Sequence, residues 1–70
     1  MQKWEYLRLD VSYYNDGATI TPNFDPTRAL AVKKPGVVNY INKLGREDWE
    51  IVSVFTVGEY EVYYFKHLVE

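Results

Sequence analysis

His67 is the chain's only histidine, and with no cysteine present it is the natural place to look for chemistry. Trp49–Val57 and Tyr60–Leu68 read as two strands around Gly58-Glu59, since a two-residue hairpin loop needs the positive φ that Gly supplies. That register sets His67 opposite Glu50, an arrangement able to act as a general acid–base pair. The same pairing near a sheet end is ordinarily a cross-strand ion pair. No Ser or Thr is tied to it by a nucleophile motif, so it does not point to an enzyme.

A second candidate is Lys33-Lys34-Pro35-Gly36, just ahead of a helix whose first N–H groups and dipole attract anions. Lys33 and Lys34 make a weak anion site at best. Glycine is too sparse for a phosphate-binding loop, and nothing matches the Walker pattern. Solvated lysines in a connection are the better account of them.

The third candidate is the aromatic surplus: seven Tyr, three Phe and two Trp in 70 residues. Tyr64 lies beside Lys66, and Trp4 and Tyr6 beside Lys3 and Arg8, a mixture that can stack single-stranded nucleic acid. A net charge of −2 and the interleaved Glu5, Glu50, Glu59 and Glu61 oppose that use. Protein interfaces favour the same residue types. The candidate interface residues are Trp4, Tyr6, Trp49, Phe55, Tyr60, Val62 and Tyr64. No cofactor or metal is implied, because one histidine without cysteine supplies no ligand set.

These side chains must be positioned by a small domain. A single unit over residues 1–70 buries only about 60% of the surface that its unfolded chain exposes. Disulfides are excluded by composition, which leaves oligomerisation or an unusually aromatic core. No apolar run approaches membrane-spanning length, and the basic-then-apolar start of a signal peptide is missing. A cytoplasmic protein whose first residues belong to the fold is the expectation.

Residues 3–14 read as a strand, with Leu7, Leu9, Val11 and Tyr13 alternating with Arg8, Asp10 and Ser12. Trp4 and Tyr6 put aromatics on the face that should be wet. Asn15-Asp16-Gly17 signals a turn whose residues all tolerate left-handed backbone. Ala18–Thr21 can return as a short strand. In residues 22–34, Asp25-Pro26 is compatible with a capped helical turn through Leu30, and Ala29–Val32 with a brief strand. Pro35–Leu44 reads as a helix with a Val37, Tyr40, Ile41, Leu44 stripe and Gly45 as left-handed cap.

In the hairpin, the two-residue loop puts Trp49, Ile51, Phe55 and Val57 on one face with Leu68, Val62 and Tyr60. Val52 and Val54 share the other face with Phe65 and Tyr63. A sheet apolar on both sides needs cover on both sides. One helix of about ten residues covers one, so a second copy is the natural cover for the other.

Three segments, Met1-Gln2-Lys3-Trp4-Glu5-Tyr6, Leu44-Gly45-Arg46-Glu47-Asp48-Trp49-Glu50-Ile51-Val52-Ser53-Val54 and Tyr63-Tyr64-Phe65-Lys66, together resemble the DUF4177-like group of small bacterial and phage proteins of unknown function. The likeness spans most of the chain apart from residues 15–34. It implies a β–α–β–β arrangement and carries no established activity or site residues. Asp48 stands where the group usually has Gly; if that position needs positive φ, Asp is among the few tolerable substitutes. His67 stands where Arg or a similar base often closes the last strand.

The fold expected is α+β, a three- to four-stranded antiparallel sheet with one helix on one face and a long connection between the first strand and the helix. The function expected is a non-enzymatic, self-associating interaction module, a homodimer or higher homo-oligomer able to recruit another protein. The alternatives are a nucleic-acid-associated regulator and a small-molecule binder with an aromatic pocket between subunits.

Overall fold

The period-two pattern of the first segment forms a long strand. In a computed structural model that describes residues 2–69, β1 runs Lys3–Tyr14 and turns Leu7, Leu9 and Val11 into the core. β2 follows as Gly17–Pro22, a short 3₁₀ turn as Pro26–Arg28, and β3 as Leu30–Val32. The helix α1 spans Lys34–Arg46, and β4 (Glu50–Val57) and β5 (Tyr60–Val69) close the chain. All strand pairs are antiparallel, in the spatial order β3-β2-β1-β5-β4.

The sheet therefore has five strands, not three or four, and two extra strands precede the helix. The connection between β1 and α1 is the reason. Both alternatives open in residues 22–34 are realised in succession: Asp25 caps the 3₁₀ turn by accepting from the Thr27 N–H, and Leu30–Val32 then pairs with β2. A segment that looked like loop thereby has its backbone groups paired.

Gly17 has a tighter role than its turn position suggested. None of Asn15, Asp16 and Gly17 is left-handed. A Cβ at Gly17 would lie 2.3 Å from the Val32 carbonyl oxygen, so the glycine permits β2 and the end of β3 to meet. Gly45 is not the helix cap either, since α1 continues to Arg46 and the left-handed residue is Asp48, with φ 70°. Asp tolerates that conformation better than most residues. It releases the chain from the helix, and the Trp49 N–H then donates to the Leu44 carbonyl at 3.0 Å.

The Val37, Tyr40, Ile41, Leu44 stripe of α1 packs on Leu7, Leu9, Val11, Ala18, Ile20 and Phe65. The helix lies over β2 and β3 and leaves β4 uncovered. All eight residues of β4 are exposed.

Two glycines give opposite expectations. Gly17→Ala forces a side chain against backbone and should cost about 1–3 kcal/mol, the range of overpacked sites. Gly45→Ala meets nothing within 4 Å and should gain up to about 1 kcal/mol from helix propensity. Thermal melts would show this as a fall and a rise, at about 4–8 °C per kcal/mol for a domain this small. A neutral Gly17→Ala would remove the close approach as the reason for glycine there.

Candidate functional site

Directly opposed residues share a face, so the strand registers sort the hairpin. Leu7 faces Phe65 and Leu9 faces Tyr63, which turns the odd-numbered residues of β5 toward the helix. Trp4, Tyr6, Arg8 and Asp10, paired with Leu68, Lys66, Tyr64 and Val62, occupy the face without a helix.

The β4–β5 register begins as expected, with Val57 opposite Tyr60 and Phe55 opposite Val62. Between Ile51 and Ser53 it slips through a bulge, after which Ile51 faces Phe65 and Glu50 faces Lys66. The slip moves Ile51 and Trp49 to the helix side, where Trp49 packs against the core cluster. The expected grouping of both with Phe55 and Val57 is thus corrected. A bulge inserts one unpaired residue and reverses the faces beyond it.

The expected Glu50–His67 pair is overturned by the same slip. His67 instead meets Glu5 of β1 through Nε2, and its ring lies 4.1 Å from that of Trp49. The pair is structural in setting, a histidine at the end of the sheet between a carboxylate and an indole.

Of the candidate interface residues, Trp4, Tyr6, Phe55, Tyr60, Val62 and Tyr64 share the helix-free face. Trp49 does not. Val62 is buried there by its neighbours, whereas Tyr6 is 62% exposed and Phe55 55%. Lys33 and Lys34 are exposed at the start of α1, with no side-chain cap bond.

The centre of this face is Arg8. Its Nε donates to Asp10 Oδ1 at 2.8 Å and its Nη2 to Asp10 Oδ2 at 3.2 Å. Its guanidinium lies 4.1 Å from the centroid of Phe24 and 5.7 Å from that of Tyr64. Tyr60 donates its hydroxyl to the same Asp10 carboxylate. At the near end, Lys66 Nζ lies 4.2 Å over the Trp4 ring. Cations over aromatic faces stabilise at this range.

Phe24 was not among the residues picked out from sequence. It reaches Arg8 because Asn23 and Phe24 both adopt left-handed backbone, with φ 51° and 60°. Two bonds to the Arg8 backbone hold that conformation: the Asn23 N–H donates to the Arg8 carbonyl at 2.8 Å, and Asn23 Oδ1 accepts from the Arg8 N–H at 3.1 Å. An aromatic at positive φ is strained and needs such support. The only signal in the sequence was Asn23, which tolerates this region.

Burial pushes the Asp10 carboxyl up, but the hydrogen bonds from Arg8 and Tyr60 outweigh it and hold the group below its ordinary value. The bond to Asp10 raises Arg8 and Tyr60 in turn, keeping the first charged and the second neutral. On the helix side, Glu61 accepts from the hydroxyls of Tyr13 at 2.7 Å and Tyr63 at 2.8 Å. Burial and that carboxylate raise both phenols. Both networks are internally satisfied, and among the described residues no buried side-chain polar atom lacks a partner. No group of three or more His, Asp or Glu suited to a metal ion occurs among the described residues.

Comparisons with protein-family models, curated proteins and solved structures find no match to the chain.

Asp10 makes the stability pH-dependent in a defined direction. Its folded value lies below the unfolded value of about 3.9, so its contribution is fully present above that pH and is lost as pH falls through the folded value. Asp25, lowered by the Thr27 hydroxyl and backbone N–H, acts in the same window. Asp10→Asn should lower stability near pH 7 by about 1–3 kcal/mol and flatten part of the acid loss below about pH 4. Denaturant titrations across that window check both, and an unchanged acid limb would mean that Asp10 is not ionised against Arg8.

Proposed function

We propose that the chain is a non-enzymatic interaction module that associates with itself and presents an aromatic sheet face to another protein. The observation that carries this is the apolar surface left open: Trp4, Tyr6, Phe24, Phe55, Val57 and Tyr64 are exposed on one side of the sheet, and β4 is exposed along its length. Contiguous apolar surface of this kind marks interaction sites in soluble domains. Its residue types, Tyr and Trp with a stacked Arg, are those that anchor protein interfaces.

Two features favour a protein surface over the alternatives. Arg8 is held by Asp10 and lies between two rings, so it is engaged within the chain rather than free for phosphate. His67 contacts Glu5 and Trp49, which leaves it no nucleophile to activate. The likeness to small bacterial and phage proteins, and a cytoplasmic setting, belong to the same proposal. No helix is long and apolar enough to cross a membrane among the described residues.

The test is light scattering coupled to size-exclusion chromatography over a concentration series. The expected result is a species heavier than the 8.3 kDa chain that grows with concentration. A monomer at every concentration up to the millimolar range would overturn self-association.

A further inference from the structure

We infer that β4 is the self-association element: the outer edge of β4 pairs antiparallel with β4 of a second copy, about a two-fold axis at Phe55, to make one continuous sheet across the dimer. This rests on the self-association proposed above and specifies where it occurs.

The sheet has two edges, and the chain treats them differently. β3 is three residues long and lies under α1. β4 is eight residues long and contains no Pro, Lys or Arg, the residues that commonly guard an exposed edge. Its one charge, Glu50, and its bulge both sit at the start of the strand, which leaves Ser53–Val57 regular and uncharged.

The direction of the backbone groups fixes the register. The Tyr13 N–H donates to the Glu59 carbonyl at 2.8 Å, so Glu59 turns its backbone toward β1. Backbone groups alternate sides along a strand, so Tyr60, Val62 and Tyr64 turn theirs toward β4. Their partners are Val57, Phe55 and Ser53, whose groups therefore point inward. Val54 and Thr56 are left with N–H and C=O groups aimed outward.

Two outward residues, two apart in an uncharged regular segment, are self-complementary. Val54 of one copy opposes Thr56 of the other, and each such pair exchanges two N–H···O bonds. Phe55 then meets Phe55 on the axis, as a non-hydrogen-bonded pair on the helix-free face, and Ser53 opposes Val57. No like charges are brought together. A register centred on Val54 instead would draw the bulge residue Val52 into the ladder.

Edge pairing over Ser53–Val57 engages only five residues of each copy, so the interface is small beside the roughly 1,000 Å² at which specific interfaces begin. The dimer is accordingly expected to be weak and to dissociate on dilution. It leaves Trp4, Tyr6 and Tyr64 uncovered, available to a further partner.

Two variants test the edge. Thr56→Pro removes an outward N–H and spares the β5 ladder, so a folded variant by circular dichroism should show a dimer dissociation constant raised at least about tenfold. Phe55→Cys places a lone cysteine on the axis in an otherwise cysteine-free chain. The pair separation of about 4.5 Å between Cα atoms suits a disulfide. Mild oxidation should give a covalent dimer at least about tenfold faster than for Val38→Cys, an exposed control on α1. A wild-type monomer at all concentrations would overturn self-association itself. A wild-type dimer that Thr56→Pro leaves intact, or for which Phe55→Cys cross-links no faster than the control, would overturn the edge alone. If Thr56→Pro does not fold, the cross-linking comparison decides.

Discussion

One helix has to cover a sheet about twice its width. An α-helix is about 10 Å across, whereas five strands spaced at about 4.8 Å span roughly 19 Å between their outer axes. In this protein α1 sits over β2 and β3, and its stripe reaches β1 and Phe65 of β5. Everything beyond that line must find another way to leave water or stay exposed. The concentrated core of Leu9, Val11, Ala18, Ile20, Val37 and Phe65 and the bare length of β4 are two consequences of the same geometry.

The bulge in β4 is where the chain adjusts to that constraint. Trp49 follows the helix directly, tied to it through the Leu44 carbonyl, and its indole packs beside the core. An unbroken strand from the Gly58 turn would carry Trp49 and Ile51 to the helix-free side. Inserting one residue near Val52 returns both to the helix side and leaves Glu50 and Ser53 on the other. The gain is the packing of Trp49 beside the core, and the consequence is that Glu50 faces Lys66, while His67 meets Glu5 across β1.

On the helix-free face the molecule stabilises its own surface without a second layer. Arg8 covers aromatic area with a cation that hydrates weakly, and Asp10 fixes its orientation through two hydrogen bonds. Tyr60 donates to the same carboxylate, and Val62, set between Asp10 of β1 and Phe55 of β4, is buried on a side with no helix. The polar groups at the centre of the face are satisfied within the chain, while its rim, and the β4 edge beside it, remain apolar and open.

The sequence by itself determined the elements whose signal is local. β1 over residues 3–14, the helix stripe and the Gly58-Glu59 turn all follow from alternation, helical spacing and backbone tolerance. It also marked most of the exposed aromatic face, because Trp4 and Tyr6 stand at positions that a half-buried strand would give to polar residues. Only the tertiary structure decided the rest. Leu30–Val32 becomes a strand because β2 offers it an unpaired edge, a partner that no local pattern encodes. Gly17 is fixed by the Val32 carbonyl, which is near in space and distant in sequence. Phe24 enters the site only because Asn23 bonds to the Arg8 backbone. The slip at Val52 was hidden because a segment apolar on both faces has no polar side to set its register, and Trp49 packs beside the core on the helix side that the slip gives it.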